Sequence, residues 1–227
     1  MMDNMININI SKVNYLKEVF KMIDKGNKNF WDRFAKLYAP FMKKDQGVYD
    51  EVCEYILPYL KKDMDVLELA CGSGQFSFAL SKKTKSWIGT DFSEQMIIEA
   101  KKREEYENLI FEKADATDLS YANEKFDCVL IANALHIMPN PECAMKEIYR
   151  VLKPNGTLLA PNFLWTEGKE RKIIKTLMSV LGFKMYQEWN KNQFEDFVEK
   201  HGFSVVEIKL VYGGLAPIGV MIAQKYS

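Results

Sequence analysis

The sequence predicts an α/β fold built on a doubly wound, mostly parallel sheet of seven strands. From residue 64 onward, short β-rich runs alternate with helical segments long enough to cross over between parallel strands. Near the end of the chain, two β-rich runs are separated only by residues 213–215. A connection this short joins antiparallel neighbours, so the sheet should finish in a hairpin that supplies one antiparallel strand.

The elements follow one another in a regular order. Apolar residues at helical spacing predict three helices before the first strand, at residues 11–24, around residues 30–41 and at residues 48–60. Strands are expected at residues 65–70, 86–90, 109–112, 126–132, 156–162, 203–212 and 216–224. Helices between them are expected at residues 75–81, 94–106 and 142–152. We assign residues 1–60 to an N-terminal helical lid and residues 61–227 to the core of the same domain.

Composition limits the classes of partner. Hydrophobic residues make up 48% of the 227 residues, enough for the core of one α/β domain. Lys and Arg together number 31, and so do Asp and Glu, so the net charge is zero. Domains that bind polyanions usually carry a basic excess, because phosphate contacts dominate their affinity. We therefore expect no nucleic-acid partner.

The cysteines and the N-terminal residues indicate a cellular compartment. The four cysteines are widely spaced without a CxxC pair, which predicts neither a metal site nor a disulfide framework. The N-terminus lacks the basic start and apolar core of a signal peptide. The longest apolar stretch, residues 215–223, is far shorter than the roughly 20 residues of a membrane-spanning helix. We expect a cytoplasmic protein without an integral membrane segment.

A glycine-rich loop follows the first strand. Residues 66–70 run into Cys71-Gly72-Ser73-Gly74, and a helix opens directly afterwards. Glycines at such a loop let the backbone turn tightly and let a ligand approach main-chain N–H groups. The same G-x-G pattern is also typical of an ordinary strand-to-helix turn.

Two acidic residues make the loop more specific. Asp91 ends the second strand, where a carboxylate can bind the ribose hydroxyls of an adenine nucleoside. An aspartate at this place can also serve as a helix N-cap, although Ser93 can fill that role. Asp115 follows the third strand, where it can accept from an adenine amino group while the backbone of Ala116 faces the ring. These groups stand at the carboxyl ends of successive strands, which is where open α/β sheets bind ligands.

A dinucleotide is the competing ligand. Its pyrophosphate normally needs a third glycine where the helix packs against the strand. Here that place is taken by Ser77, after the bulky Phe76. The loop therefore favours a ligand with a carboxylate and a sulfonium over one with a pyrophosphate.

These motifs resemble the class I S-adenosylmethionine-dependent methyltransferases. The resemblance is to the small-molecule branch that includes quinone-biosynthesis C-methyltransferases and bacterial phospholipid N-methyltransferases. Residues 68–74 are similar to its motif I, Asp91 to its ribose acid and Asp115 to its adenine acid. Residues 126–136 and 152–158 are similar to its segments at the fourth and fifth strands. The resemblance implies a Rossmann-like sheet and S-adenosylmethionine as the cofactor.

The resemblance also implies the cofactor-binding residues. It places Glu68, Gly72 and Gly74 around the methionine part, with a backbone contact from Ala132 or Asn133. The remaining expected members of this site are Ala70, Phe92, Met96 and Ala116. Ala70 stands where the family usually has a glycine, and its methyl group should be tolerated if the backbone stays in the β region.

The acceptor side is predicted less sharply. Methyl transfer requires in-line positioning, and a general base only if the acceptor must lose a proton. His136, after the fourth strand, is the candidate base, although it can equally cap the strand or pack on the cofactor. Aromatic and polar residues expected to cover the cofactor or line the acceptor opening are Tyr38, Phe41, Asn162, Trp165 and Trp189. At helical spacing such aromatic residues can instead belong to the core.

The expected function is methyl transfer to a small-molecule acceptor. An alternative is a membrane-surface methyltransferase acting on a lipid or isoprenoid quinone, because aromatic residues of the first helices stand beside Lys43 and Lys44. More remote alternatives are an NAD-binding oxidoreductase and a non-catalytic S-adenosylmethionine-binding protein. The fourth strand is followed by Ala132-Asn133-Ala134-Leu135 rather than Asn/Asp-Pro-Pro-Tyr, which disfavours methylation of nucleic-acid bases.

Overall fold

Two helices precede the sheet. The computed structural model describes residues 27–42, 45–103, 106–165, 183–213 and 216–226. Within these residues the chain begins with α1 (Lys28–Met42) and α2 (Gln46–Ile56), followed by a 3-10 turn at Leu57–Tyr59. They confirm the helices expected around residues 30–41 and 48–60, whereas the helix expected at residues 11–24 lies outside the described residues.

The sheet has the expected architecture. Its strands are β1 (Asp65–Leu69), β2 (Ser86–Asp91), β3 (Leu109–Lys113), β4 (Phe126–Ile131), β5 (Leu152–Phe163), β6 (Phe203–Val211) and β7 (Ile218–Lys225). The strand order is β3-β2-β1-β4-β5-β7-β6. Strands β1 to β5 pair in parallel, and β7 runs antiparallel to both β5 and β6. The order reverses between β1 and β4, so the carboxyl ends of these two strands flank the crevice where such sheets bind ligands.

The connecting helices largely follow the expected pattern. They are α3 (Gln75–Leu80), α4 (Glu94–Lys101), α5 (Pro141–Val151) and α6 (Lys191–Glu199). Helix α4 ends several residues before the expected residue 106. Helix α6 has no counterpart among the expected elements, although a capping box marks its start: Asn190 accepts from Gln193 N at 3.0 Å, and the Gln193 side chain accepts from Asn190 N at 3.0 Å.

Strand β5 starts earlier than expected because it contains a bulge. Phe126 pairs with Leu152, but Cys128, two positions later, pairs with Thr157. Residues 153–156 are therefore looped out, and Asn155 there has a φ of +60°. The turn expected before the fifth strand is present at residues 153–156. It lies within β5, because Leu152 before the turn and Thr157 after it both pair with β4.

Both faces of the sheet are covered, as in other doubly wound folds. Leu67 and Leu69 of β1 pack on one face with Met145 of α5. Val66, which points to the other face, packs with Val52 of α2. None of the helices in the described ranges is long and apolar enough to cross a membrane.

Candidate active site

The glycine loop turns sharply at the carboxyl end of β1. Cys71 N donates to Thr90 O at 2.9 Å, and Gly74 N donates to Cys71 O at 3.0 Å. Gly72 and Gly74 have φ values of +55° and +84°, which few residues other than glycine adopt. The first bond ties the loop to β2, and the second closes the turn within the loop.

Side chains pack closely around both glycines. A Cβ at Gly72 would lie 2.9 Å from the ring of Tyr38, and a Cβ at Gly74 would lie 2.7 Å from the ring of Phe78. Tyr38 belongs to α1, so the lid helix reaches directly onto the loop. The structure thus brings together the expected cofactor loop and the expected cover residue.

Ala70 departs from the expectation stated for it. Its φ is +53°, in the left-handed region, so the condition given for tolerating its methyl group, a backbone in the β region, is not met. The physical reason is that the chain must leave β1 at Leu69 and turn at once for Cys71 N to reach Thr90 O. An alanine in this conformation costs about 1 kcal/mol or more relative to glycine.

Glu68 is buried below the loop. It accepts hydrogen bonds from the Ser77 hydroxyl and, at 2.9 Å, from Trp87 Nε1. Burial raises its pKa to about 7, against the opposing effect of these two hydrogen bonds. Ser77, which replaces the third glycine of a dinucleotide loop, is therefore a hydrogen-bond partner of a buried carboxyl group.

Asp91 connects the loop to helix α4. One carboxylate oxygen accepts from Gly72 N at 2.9 Å and the other from Ser93 N at 2.8 Å. Burial raises the pKa of Asp91 to about 6, and the nearby Asp32 carboxylate adds to the effect. Ser93 caps α4 by accepting from Met96 N at 3.2 Å, so the expected cap is confirmed and Asp91 is left for another role.

The neighbouring expected residues line the same edge of the sheet. Asp115 Oδ1 accepts from both Thr117 N at 2.9 Å and Thr117 Oγ1 at 2.7 Å, which holds the carboxylate at the end of β3. Ala116 beside it is buried, Phe92 is partly exposed, and Met96 of α4 is buried.

Unpartnered polar atoms lie at the carboxyl ends of β1 and β4. Asn133 has a φ of +51°, its backbone N donates to Pro161 O at 2.7 Å, and its Nδ2 donates to Tyr49 Oη at 3.3 Å. Its Oδ1 and the Oγ of Ser73 are buried, and within the described ranges neither has a hydrogen-bond partner. Buried polar atoms without partners are rare, so these two indicate a place for a ligand. Ala132, next to Asn133, is partly exposed.

His136 is buried in a 3-10 turn at Leu135–Ile137 after β4. Its ring Nδ1 lies 2.9 Å from Asn162 Oδ1, and its ring packs edge-on against Phe163. Burial lowers the pKa of His136 to about 4, so the ring is neutral near pH 7. Two of the residues expected on the acceptor side, His136 and Asn162, are thus in direct contact.

The lid is fastened to the core at two places. Ser93 Oγ donates to Asp32 of α1 at 2.6 Å. Asn27, just before α1, donates through Nδ2 to Ile137 O at 3.2 Å and to Lys184 O at 2.8 Å, and its Oδ1 accepts from Lys184 N at 2.7 Å. The backbone O of His136 accepts from the N–H groups of residues 186 and 187, both at 3.0 Å. The 3-10 turn therefore anchors both α1 and the segment at residues 183–189.

Aromatic rings fill the space between these two parts of the lid. Phe30 and Trp31 pack edge-on against Phe183 at centroid distances of 5.1 and 5.7 Å, and Phe30 stacks on Phe34 at 5.5 Å. These rings pack within the protein, while Leu37 on the same helix is 61% exposed. The side chain of Phe41 lies outside the described residues.

The two expected tryptophans have different surroundings. Trp165 is buried, and its Nε1 has no hydrogen-bond partner within the described part of the chain. Trp189 packs in the core against Phe194 and Phe197, with ring centroids 5.3 and 4.5 Å apart. Trp165 therefore offers a hydrogen-bond donor to a ligand, whereas the ring of Trp189 is part of the hydrophobic core.

Comparison with known proteins gives a consistent picture. A family model described as a methyltransferase domain matches residues 60–203. The demethylmenaquinone methyltransferase of Oceanobacillus iheyensis is 30% identical over 175 residues, which are 66% of this chain and 74% of that protein. The protein of the same name from Staphylococcus haemolyticus is 29% identical over 184 residues, 71% of this chain and 77% of that protein.

Solved structures share the fold. A chain in the complex of the Haloferax volcanii Trm112 methyltransferase activator with a putative methyltransferase aligns with a TM-score of 0.74 and 16% identity, covering 88% of this chain and 97% of that one. A possible histamine N-methyltransferase from Thermotoga maritima aligns with a TM-score of 0.69 and 21% identity, covering 88% and 99%.

Proposed function

The chain belongs to the methyltransferase domain family as a class I enzyme that uses S-adenosylmethionine to methylate a small molecule, and we propose that its acceptor is an uncharged aromatic compound of the demethylated-quinone class. One observation carries this choice of acceptor. Residues 132–137, which follow β4, and residues 161–165, at the end of β5, contain no Asp, Glu, Lys or Arg. Their one titratable side chain, His136, is neutral. An acceptor with a fixed charge would meet no opposite charge in these two segments, whereas an uncharged ring would meet aromatic and amide side chains.

The residues at the loop fit S-adenosylmethionine. Gly72 and Gly74 hold the loop in left-handed conformations, packed against the rings of Tyr38 and Phe78. Beside them, Ser73 Oγ and Asn133 Oδ1 are buried polar atoms without hydrogen-bond partners among the described residues. We propose that these groups hold the methionine part, with Glu68 lying buried below it. Asp91, flanked by Phe92 and Met96, would hold the ribose. We propose that Asp115 and Ala116 hold the adenine.

When bound, the cofactor supplies a methyl group carried on a cationic sulfur. The chain's own contribution is to orient the acceptor and to exclude water from the methyl group. We propose that Tyr38 covers the cofactor side, and that Asn162 and Trp165 line the acceptor side with His136 between them. Residues 1–60 would act as the lid of the same domain; residues 1–26 and the side chain of Phe41 lie outside the described part of the chain.

A membrane-surface version of this activity receives less support. Phe30 and Trp31 pack against Phe183, and Phe34 stacks on Phe30, so these rings contact one another within the protein. Among the described side chains of α1, Leu37 is the large apolar residue that is exposed. We also propose that the enzyme works in the cytoplasm, since its four cysteines are free thiols. Its balanced charge supports a small-molecule partner over a nucleic acid.

Two measurements test the proposal. Calorimetric titration with S-adenosylmethionine, S-adenosylhomocysteine and NAD should show binding of the first two only. Radiolabelled methyl transfer is then compared for a short-chain demethylated naphthoquinol, histamine and phosphatidylethanolamine vesicles, with Asp91→Ala as the inactive control. We expect label in the naphthoquinol. Label in the amine or the lipid alone would refute the proposed acceptor class, and binding of NAD alone would refute methyl transfer.

A further inference from the structure

The contact between His136 and Asn162 determines which ring nitrogen carries the hydrogen. Asn162 is 1% exposed, and its Nδ2 donates to Phe163 O at 3.1 Å. This bond fixes the orientation of the amide, so the atom that faces the ring at 2.9 Å from Nδ1 is Oδ1. An amide oxygen only accepts hydrogen bonds. Nδ1 of His136 therefore carries the hydrogen, and Nε2 of the neutral ring carries the lone pair.

The ring stays neutral for a local reason. Its pKa is lowered by burial, and the hydrogen bond to Asn162 is the one opposing contribution. The segment at residues 183–189, whose backbone bonds to His136 O, carries Lys184, Tyr186 and Glu188 as titratable residues. A neutral imidazole with a fixed tautomer is a base whose basic atom is defined in advance.

We propose that Asn162 is a positioning residue that holds His136 in the Nδ1–H tautomer, so that Nε2 receives the proton lost by the acceptor during methylation. This inference rests on the proposed function and narrows it. It selects acceptors that shed a proton, such as the hydroxyl or ring carbon of a phenol or hydroquinone, over tertiary amines and thioethers, which have none to lose.

The step balances in atoms and charge. The bond between sulfur and the methyl carbon breaks and leaves its electron pair on sulfur, while the acceptor oxygen or carbon forms the new bond. The acceptor's O–H or C–H proton passes to Nε2, and the resulting imidazolium returns it to water after the product leaves. A weak base suits this step, because the proton becomes strongly acidic only as the methyl group arrives.

The tautomer is measurable without any acceptor. The chain has only two histidines, His136 and His201. Protein with nitrogen-15-labelled imidazole rings therefore gives two sets of two-bond nitrogen–proton correlations in its NMR spectrum. His201→Gln assigns them. We expect His136 to show the Nδ1–H pattern between pH 6 and 8, and Asn162→Leu to lose it. The Nε2–H pattern in the wild type, or an unchanged pattern in Asn162→Leu, would overturn the proposal.

The kinetic consequence is tested with the naphthoquinol. We expect Asn162→Leu to lower kcat about 10-fold or more, with the affinity for S-adenosylhomocysteine unchanged. Asn162→Asp keeps an acceptor oxygen of the same size, so it should retain kcat, and its charge should move the acid limb of the pH profile to higher pH. Unaltered kcat and acid limb in both variants would refute the positioning role. If no acceptor is methylated, the proposed function fails, while the spectra still decide the tautomer.

Discussion

Trp87 Nε1 donates a hydrogen bond of 2.9 Å to the carboxyl group of Glu68, joining β2 to β1 beneath the glycine loop. A carboxylate buried at this depth is costly unless it is protonated or well paired. Two donors, Trp87 and Ser77, are not enough to offset its burial, and its pKa rises to about 7. The site therefore contains a carboxyl group that titrates close to neutral pH.

Glu68 should make stability depend on pH. Its pKa is higher in the folded protein than the ordinary value of 4.5, so protonated Glu68 stabilises the fold, fully below pH 4.5. This contribution, about 3 kcal/mol, is lost as pH rises through about 7. Urea unfolding from pH 4.5 to 8 should show the decline in the wild type and a smaller decline in Glu68→Gln. Exposed Glu94→Gln is the matched control, and equal declines in the wild type and Glu68→Gln would contradict the expectation.

Asp91 should govern cofactor affinity. Asp91→Asn removes the charge that the ribose hydroxyls would meet. It also leaves one acceptor oxygen in place of the two that accept from Gly72 N of the loop and from Ser93 N. Hydrogen bonds to a charged group contribute about 1.5–3 kcal/mol, so the Kd for S-adenosylhomocysteine should rise about 10- to 100-fold. Calorimetry measures this change. Glu94→Gln removes an exposed charge near the same strand end and should leave the Kd within about twofold of the wild type; an equal loss in both variants would point to a general charge effect.

Ala70 should tolerate glycine and reject a β-branched residue. Glycine adopts a φ of +53° without strain, although it gains freedom in the unfolded chain, so Ala70→Gly should stay within about 1 kcal/mol of the wild type. Ala70→Val places a branched side chain in the left-handed region and should lose about 1–3 kcal/mol. Thermal unfolding of the three proteins gives the order. A valine variant as stable as the wild type would show that the loop does not hold this conformation.

The bond between Asp32 and Ser93 should keep the lid helix closed. A partly buried hydrogen bond of this kind contributes about 1 kcal/mol. Asp32→Ala should therefore increase hydrogen exchange of the amides of α1 about fivefold, and should speed the release of S-adenosylhomocysteine similarly. Lys36→Ala, an exposed change on the same helix, is the control. Exchange that is the same in both variants would mean that Asn27 and the aromatic rings hold the helix without this bond.

Sequence reasoning succeeded where the signal is local. The glycine loop, Asp91 at the end of β2 and the Ser93 cap each lie within a few residues of the elements they define, so spacing alone places them. Helix α6 also carries a local signal, the capping box of Asn190 and Gln193, which sequence reasoning missed.

Contacts between distant residues could not be predicted in the same way. Asn27 contacts Lys184 although 157 positions separate the two residues in the sequence. His136 contacts Asn162 because the sheet places β4 beside β5. Nothing in a pattern of hydrophobic spacing specifies which buried amide reaches which ring. The left-handed backbone of Ala70 is likewise set by a bond between neighbouring strands, from Cys71 N to Thr90 O, and not by the local sequence.

The shared anchoring of both lid parts on the turn at Leu135–Ile137 constrains how this enzyme can diverge. A substitution there that widens the acceptor opening also moves Asn27, and with it the helix that covers the cofactor. Adaptation to a bulkier acceptor by this route would therefore weaken retention of the methyl donor. Evolution toward new acceptors, or engineering for them, is freer at the side chain of Trp165. This residue is joined to the segment at residues 183–189 through its backbone, from Trp165 N to Trp189 O at 2.9 Å, and a change of side chain leaves that bond in place.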